Sequence, residues 1–187
     1  MRRISMAPPS RATFPGWRWA TVALAFPVAG LIGRAVGGDV DSVDAAVIGG
    51  AITGAVLGAG QWLAARDIFG RWPIWVGVSA VGYGVGLAAG AALVDYETDL
   101  GSLAAMGAVS GAVLGAGQGF ALAAQGRKRL AVGWGVAMPA LLAIGWTTTT
   151  LGGIDVDKQF TVFGAFGAVV FTLLSGLLLA RLQEQVE

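Results

Sequence analysis

The chain has 187 residues, of which 56% are hydrophobic and 12% charged, with a net charge of +1 and a mean hydropathy of +0.73. Soluble domains carry about a quarter charged residues, so this is the composition of a membrane protein, and its near-neutral balance gives no reason to expect a nucleic-acid partner. Cysteine and histidine are both absent, which excludes disulfides, zinc–thiolate sites and a thiol nucleophile, and removes the commonest metal ligand and general base.

Residues 1–16 are polar, with Arg2, Arg3 and Arg11 and prolines at 8, 9 and 15. A basic start before an apolar run can be a signal peptide. Here the following run is long enough to span and matches later segments, so residues 1–16 are read as a disordered cytoplasmic tail. Six apolar segments of about 20 residues follow, the length a helix needs to cross a bilayer core of roughly 30 Å. They fall at 17–37, 44–65, 73–94, 101–124, 131–152 and 160–181. Each must be helical, because lipid offers the backbone no hydrogen-bond partner. The expected fold is an all-α, six-helix transmembrane bundle, occupying residues 17–182 and followed by a short cytoplasmic C-terminus at 183–187.

The connections alternate in charge. Asp39, Asp41 and Asp44 follow the first segment, Asp95, Glu97 and Asp99 the third, and Asp155 and Asp157 the fifth. The opposite ends carry ten of the twelve basic residues, leaving only Arg34 and Lys158 on the acidic side. Short basic loops stay in the cytoplasm. This predicts both termini inside and the acidic loops outside, in a bacterial inner membrane. Trp17, Trp19, Trp72, Trp75 and Trp134 stand at the inner starts of odd-numbered segments, where an amphipathic indole suits the headgroup zone. Trp146 breaks that pattern.

The second segment contains Gly50-Ala-Ile-Thr-Gly-Ala-Val-Leu-Gly-Ala-Gly-Gln-Trp62, and Gly107 to Gly119 repeats it with eight consecutive identities, Gly54–Gln61 against Gly111–Gln118. The period is 57 residues. A weaker third copy starts at Gly164 and puts Ser175 where a third glutamine would stand. The predicted unit is a helical hairpin used three times, at about 17–66, 72–125 and 131–182. Three copies facing the same way fit a pseudo-threefold axis along the membrane normal.

The pattern Gly-x-x-x-Gly-x-x-Gln-Trp-Leu at Gly54–Leu63, an arginine-bearing turn and a tryptophan-rich next helix together resemble a family of small bacterial six-span membrane proteins to which no activity is attached. The resemblance covers residues 17 to 182 and departs at Gly119, which replaces the tryptophan in the second copy. It implies the six-span topology and no substrate, cofactor or catalytic residue.

Gly50, Gly54 and Gly58, and likewise Gly107, Gly111 and Gly115, are spaced by four and share a helix face. Small residues there let helices approach closely, within the bundle or across a dimer face. Gln61 and Gln118 lie two turns further along the same faces and are expected to point inward, as interhelical glue or as a polar path. Arg34 is the one charge drawn more than a residue into a segment, with Asp39, Asp41 or Asp44 as partner. Tyr83 needs a partner for its hydroxyl, and Thr147–Thr150 can bond back to their own helix. The acidic loops suggest weak cation attraction without a full ligand pattern. No catalytic, cofactor or metal constellation appears. The expected function is therefore a non-enzymatic membrane component acting through helix packing or assembly, in contact with the lipid bilayer and with a second copy or a membrane-protein partner. The alternative is a small-solute or ion pathway past Gln61, Gln118, Arg34 and Tyr83.

Overall fold

The computed structural model describes residues 14, 16–154 and 160–184. The tail at 1–13, the acidic pair Asp155 and Asp157 with Lys158, and residues 185–187 lie outside them. The described chain is helical: α1 (Gly16–Ala20), α2 (Val22–Gly37), α3 (Val43–Phe69), α4 (Trp72–Leu93), α5 (Leu100–Ala124), α6 (Lys128–Leu151) and α7 (Ala165–Glu184). With α1 and α2 counted as one span, six are long and apolar enough to cross a membrane. The chain is a multi-pass membrane protein of all-α class.

The ends follow from local chemistry. The Ser42 hydroxyl accepts from the Ala45 amide at 3.4 Å, and the Asp99 carboxylate accepts from the Gly101 and Ser102 amides at 2.8 and 3.2 Å. Both side chains satisfy first-turn donors that an unfinished helix leaves open. Gly70 ends α3 at φ +69°, and a side chain there would run into the Gln125 amide, so the α3–α4 turn needs glycine twice over.

Each span packs against its neighbours in sequence, and α7 returns to α1 and α2, closing a ring around a central axis. The most extensive helix–helix packing lies between α3 and α4 and between α5 and α6, where these glycine faces sit. A Cβ on Gly54 would strike the Ser79 carbonyl, and one on Gly58 would sit 2.7 Å from the Ser79 side chain. A Cβ on Gly50 would come within 3.0 Å of the Gly84 Cα. On α5, Gly111 abuts the Met138 carbonyl, Gly107 lies against Trp146 and Leu142, and Gly115 against the Gly135 carbonyl. These six glycines all face a neighbouring helix of the same chain. Large apolar side chains such as Leu24, Leu31, Val81, Phe120 and Val136 cover the outside, as lipid requires.

The largest departures from the sequence reading are at two element boundaries. Helix α3 continues to Phe69, past a break at Ala65 (φ −143°, ψ 48°), and its last turn buries Ile68 and Phe69. Helix α7 begins at Ala165, not at 160. Residues 160–164 are non-helical, and Thr161, Val162 and Phe163 are buried.

Candidate functional site

The axis of the ring is closed at the end that bears Arg18, Arg66, Arg71 and Arg127–Arg129, here called the basic end. Trp19, Trp75 and Trp134, from α1, α4 and α6, are all buried. Ring centroids lie 6.1 Å apart for Trp19 and Trp134 and 6.4 Å for Trp75 and Trp134. Phe69 fills the centre, stacked 3.9 Å from Trp75 and within 6 Å of the other two indoles. Three tryptophans expected at the headgroup zone thus face inward. Trp17 and Trp72 are the exposed pair. The difference is angular: each inward indole finds the buried aromatic surface that the bundle supplies, and such ring pairs stabilise beyond area burial alone.

Immediately inside this aromatic lid lies the polar centre. Gln118 Nε2 donates to Gln61 Oε1 at 3.2 Å and to the Ser79 hydroxyl at 2.8 Å. Trp134 Nε1 donates to Gln118 Oε1 at 2.7 Å. All four residues are buried, where an unpaired amide is costly. Trp19 Nε1 makes a similar bond to the Ser175 hydroxyl at 3.2 Å, so the serine at the third-glutamine position also receives an indole. Trp75 Nε1 has no partner among the described residues.

The other end of the axis is closed by residues 160–164. Phe163 stacks on Phe26 (4.9 Å, 26°) and meets Trp146 edge-on (6.0 Å, 86°). It also abuts Gly145, six residues before the end of α6, or about 9 Å inside the bundle. Buried non-helical backbone in a membrane bundle is tolerated only where protein or water satisfies it. Here Tyr83 Oη donates to the Thr161 carbonyl at 2.8 Å, which answers the need for a partner read from the sequence. Thr161 fits against Gly33 and Gly49; a Cβ on Gly49 would lie 2.7 Å from its methyl. Arg34 holds the outer edge, with its guanidinium 4.8 Å from the Phe160 ring centroid and Nε 2.8 Å from the Asp39 carboxylate. The first turn of α7 is tied down in turn: Gly167 N donates to the Thr149 hydroxyl at 3.2 Å. Thr148, Thr149 and Thr150 all bond back to carbonyls of α6.

Between lid and plug is a cavity of about 20 Å³, measured as space open to the centre of a water molecule and enough for about one water. Gln61, Gln118, Ser79 and Tyr83 supply its polar wall, and Phe26, Leu114, Phe163 and Phe171 part of its apolar wall. Among the described residues no charged one lines it. The structure therefore brings Gln61, Gln118 and Tyr83 to one compartment and leaves Arg34 outside it, clamping the plug. The plug itself was missed in the sequence, where Phe160-Thr-Val-Phe-Gly164 reads as the apolar start of a span. Among the described residues no group of three or more acidic side chains is placed to hold a metal ion.

No family model, curated protein or solved structure matches the chain.

Proposed function

We propose that the protein is a non-enzymatic pathway for a small, neutral, polar solute, held in its occluded form. The observation that carries this reading is the plug: a buried non-helical segment at membrane depth, seated over a polar compartment that an aromatic lid closes from the other side. Broken or non-helical backbone beside a polar site is the usual construction of membrane pathways. Among the described residues the compartment offers amide and hydroxyl groups and no charge, so it suits a neutral hydrogen-bonding solute better than an ion. Purified protein in proteoliposomes should raise permeability to water, urea or glycerol, and Gln118→Leu should abolish the increase. Permeability equal to that of protein-free vesicles for all three would sink the proposal.

A second reading keeps the same cluster as structural glue in a permanently closed bundle that acts as a membrane component beside a second copy or a protein partner. The tight aromatic lid favours it. It predicts no flux, and loss of Gln118 that registers only as lower stability.

Both readings carry the positive-inside orientation, with the basic end and both termini in the cytoplasm of a bacterial cell, and membership of the six-span family the glycine–glutamine pattern resembles. Both also include three hairpins about a pseudo-threefold axis. Equivalent contacts support that symmetry: Gly54 meets Ser79 as Gly111 meets Met138, and indole donors reach Gln118 and Ser175, 57 positions apart. Cysteine labelling of the acidic and basic loops in intact cells tests the orientation.

A further inference from the structure

A second feature lies away from the axis. Where α6 begins and α7 ends, the two helices leave a cleft of about 480 Å³ at the basic end, on the same measure used for the axial cavity. Its walls are Gly126, Arg127, Lys128, Arg129, Leu130, Leu182 and Gln183. Three consecutive basic residues thus share one concave surface with two leucines.

The cleft has the chemistry of an anion site. Helix α6 runs for 24 residues, its N-cap position Arg127 makes no side-chain capping bond, and its first turn contains no acid. The amides of that turn and the partial positive charge of the helix end both favour an anion. Arg127 is held in place by its bond to the Asp67 carbonyl at 2.6 Å. Among the described residues Lys128 forms no ion pair. The nearest acid on α7, Glu184, lies 3.8 Å from Arg181 and is one residue outside the lining. The leucines place an apolar wall beside the charged one.

We propose that this cleft binds the phosphate of an anionic phospholipid headgroup. Basic pockets between spans at one membrane face bind such lipids on electrostatic grounds alone, and here the apolar wall adds the acyl contact that a soluble phosphate lacks. The site is independent of the axial compartment and does not rest on the pathway reading.

The test is lipid binding to the purified full chain in mild detergent, followed by native mass spectrometry with phosphatidylglycerol and phosphatidylcholine of identical acyl chains. The wild type should prefer phosphatidylglycerol. Lys128→Gln with Arg129→Gln should reduce that preference roughly tenfold or more, given about fivefold for each basic residue near an anionic surface. Arg66→Gln with Arg71→Gln, which removes the same charge from the same end, should leave it unchanged, and Lys128→Arg should retain it. Equal loss in both double variants overturns the site in favour of diffuse charge. Absence of any headgroup preference in the wild type overturns it as well. Displacement of bound lipid by millimolar inorganic phosphate would assign the cleft to a soluble anion and overturn the lipid.

Discussion

Tyr83 and Thr161 are 78 positions apart in sequence and joined by one hydrogen bond, from the tyrosine hydroxyl to the threonine main-chain carbonyl, 2.8 Å long and buried. It connects the middle of α4 to the segment that closes the axis. Tyr83→Phe keeps the ring and removes the donor, leaving that carbonyl without this partner. The expected loss is about 1–3 kcal/mol, the desolvation penalty of an unsatisfied buried group, read as a lower unfolding midpoint in mild detergent. The chain has no cysteine, so Thr161→Cys gives a clean probe of the plug. A water-soluble maleimide should label it faster in the Tyr83→Phe background, and an unchanged rate would show that the bond does not hold the plug in place.

Gln118 and Gln61 occupy equivalent places in the sequence repeat but unequal places in the network. Gln118 joins Gln61, Ser79 and Trp134, whereas among the described residues Gln61 is bonded only to Gln118. Gln118→Leu should therefore destabilise by about 1–3 kcal/mol, since it orphans a buried indole N–H. Gln61→Leu should cost about 0.6 kcal/mol, the average for one interhelical bond in a membrane. In the double variant the second loss should be smaller than in isolation, because the two residues share a bond. Thermal unfolding of the four proteins decides it; a larger effect at Gln61 would contradict the network.

Glycines in the same bundle should respond in opposite directions. Gly54 faces the Ser79 carbonyl and the Tyr83 Cβ, so Gly54→Ala forces α3 and α4 apart and should cost about 1–3 kcal/mol. Gly77 is exposed within α4, and a methyl group placed on its Cα would have nothing within 4 Å. Gly77→Ala should be neutral, or stabilising by up to about 1 kcal/mol through helix propensity. Unfolding midpoints measured side by side check the contrast.

Asp99 gives a pH dependence outside the membrane-spanning segments. Hydrogen bonds from the Ser102 side chain, then from the Ser102 and Gly101 amides, hold its carboxyl below the ordinary aspartate value. A lowered folded-state pKa means stability that is present above the unfolded value and lost as pH falls through the folded one. Asp99→Ala should lower the unfolding midpoint at pH 7 by removing the cap of α5. The gap from wild type should narrow below about pH 4. A gap independent of pH would assign the effect to something other than the carboxylate.

Membrane class, six helices and their order were legible in the chain because hydropathy and length are local properties, and lipid permits one local solution. The glycine faces were legible for the same reason: spacing by four fixes a helix side whatever lies opposite. What lies opposite was not. That Gly54 meets Ser79, that Trp19, Trp75 and Trp134 converge on Phe69, and that Gln118 rather than Gln61 is the hub depend on helix rotation and on distant partners. The start of α7 was misplaced because Phe160–Gly164 is as apolar as a span. Only a neighbouring helix that supplies Tyr83 for the Thr161 carbonyl, and two others that open space at Gly33 and Gly49, let that stretch leave the helix and fill the axis. Composition by itself determined where this chain lives and how many times it crosses; the closed polar compartment was decided by tertiary structure, because buried hydrogen-bond donors and acceptors must be matched across helices and a sequence does not state which helices will meet.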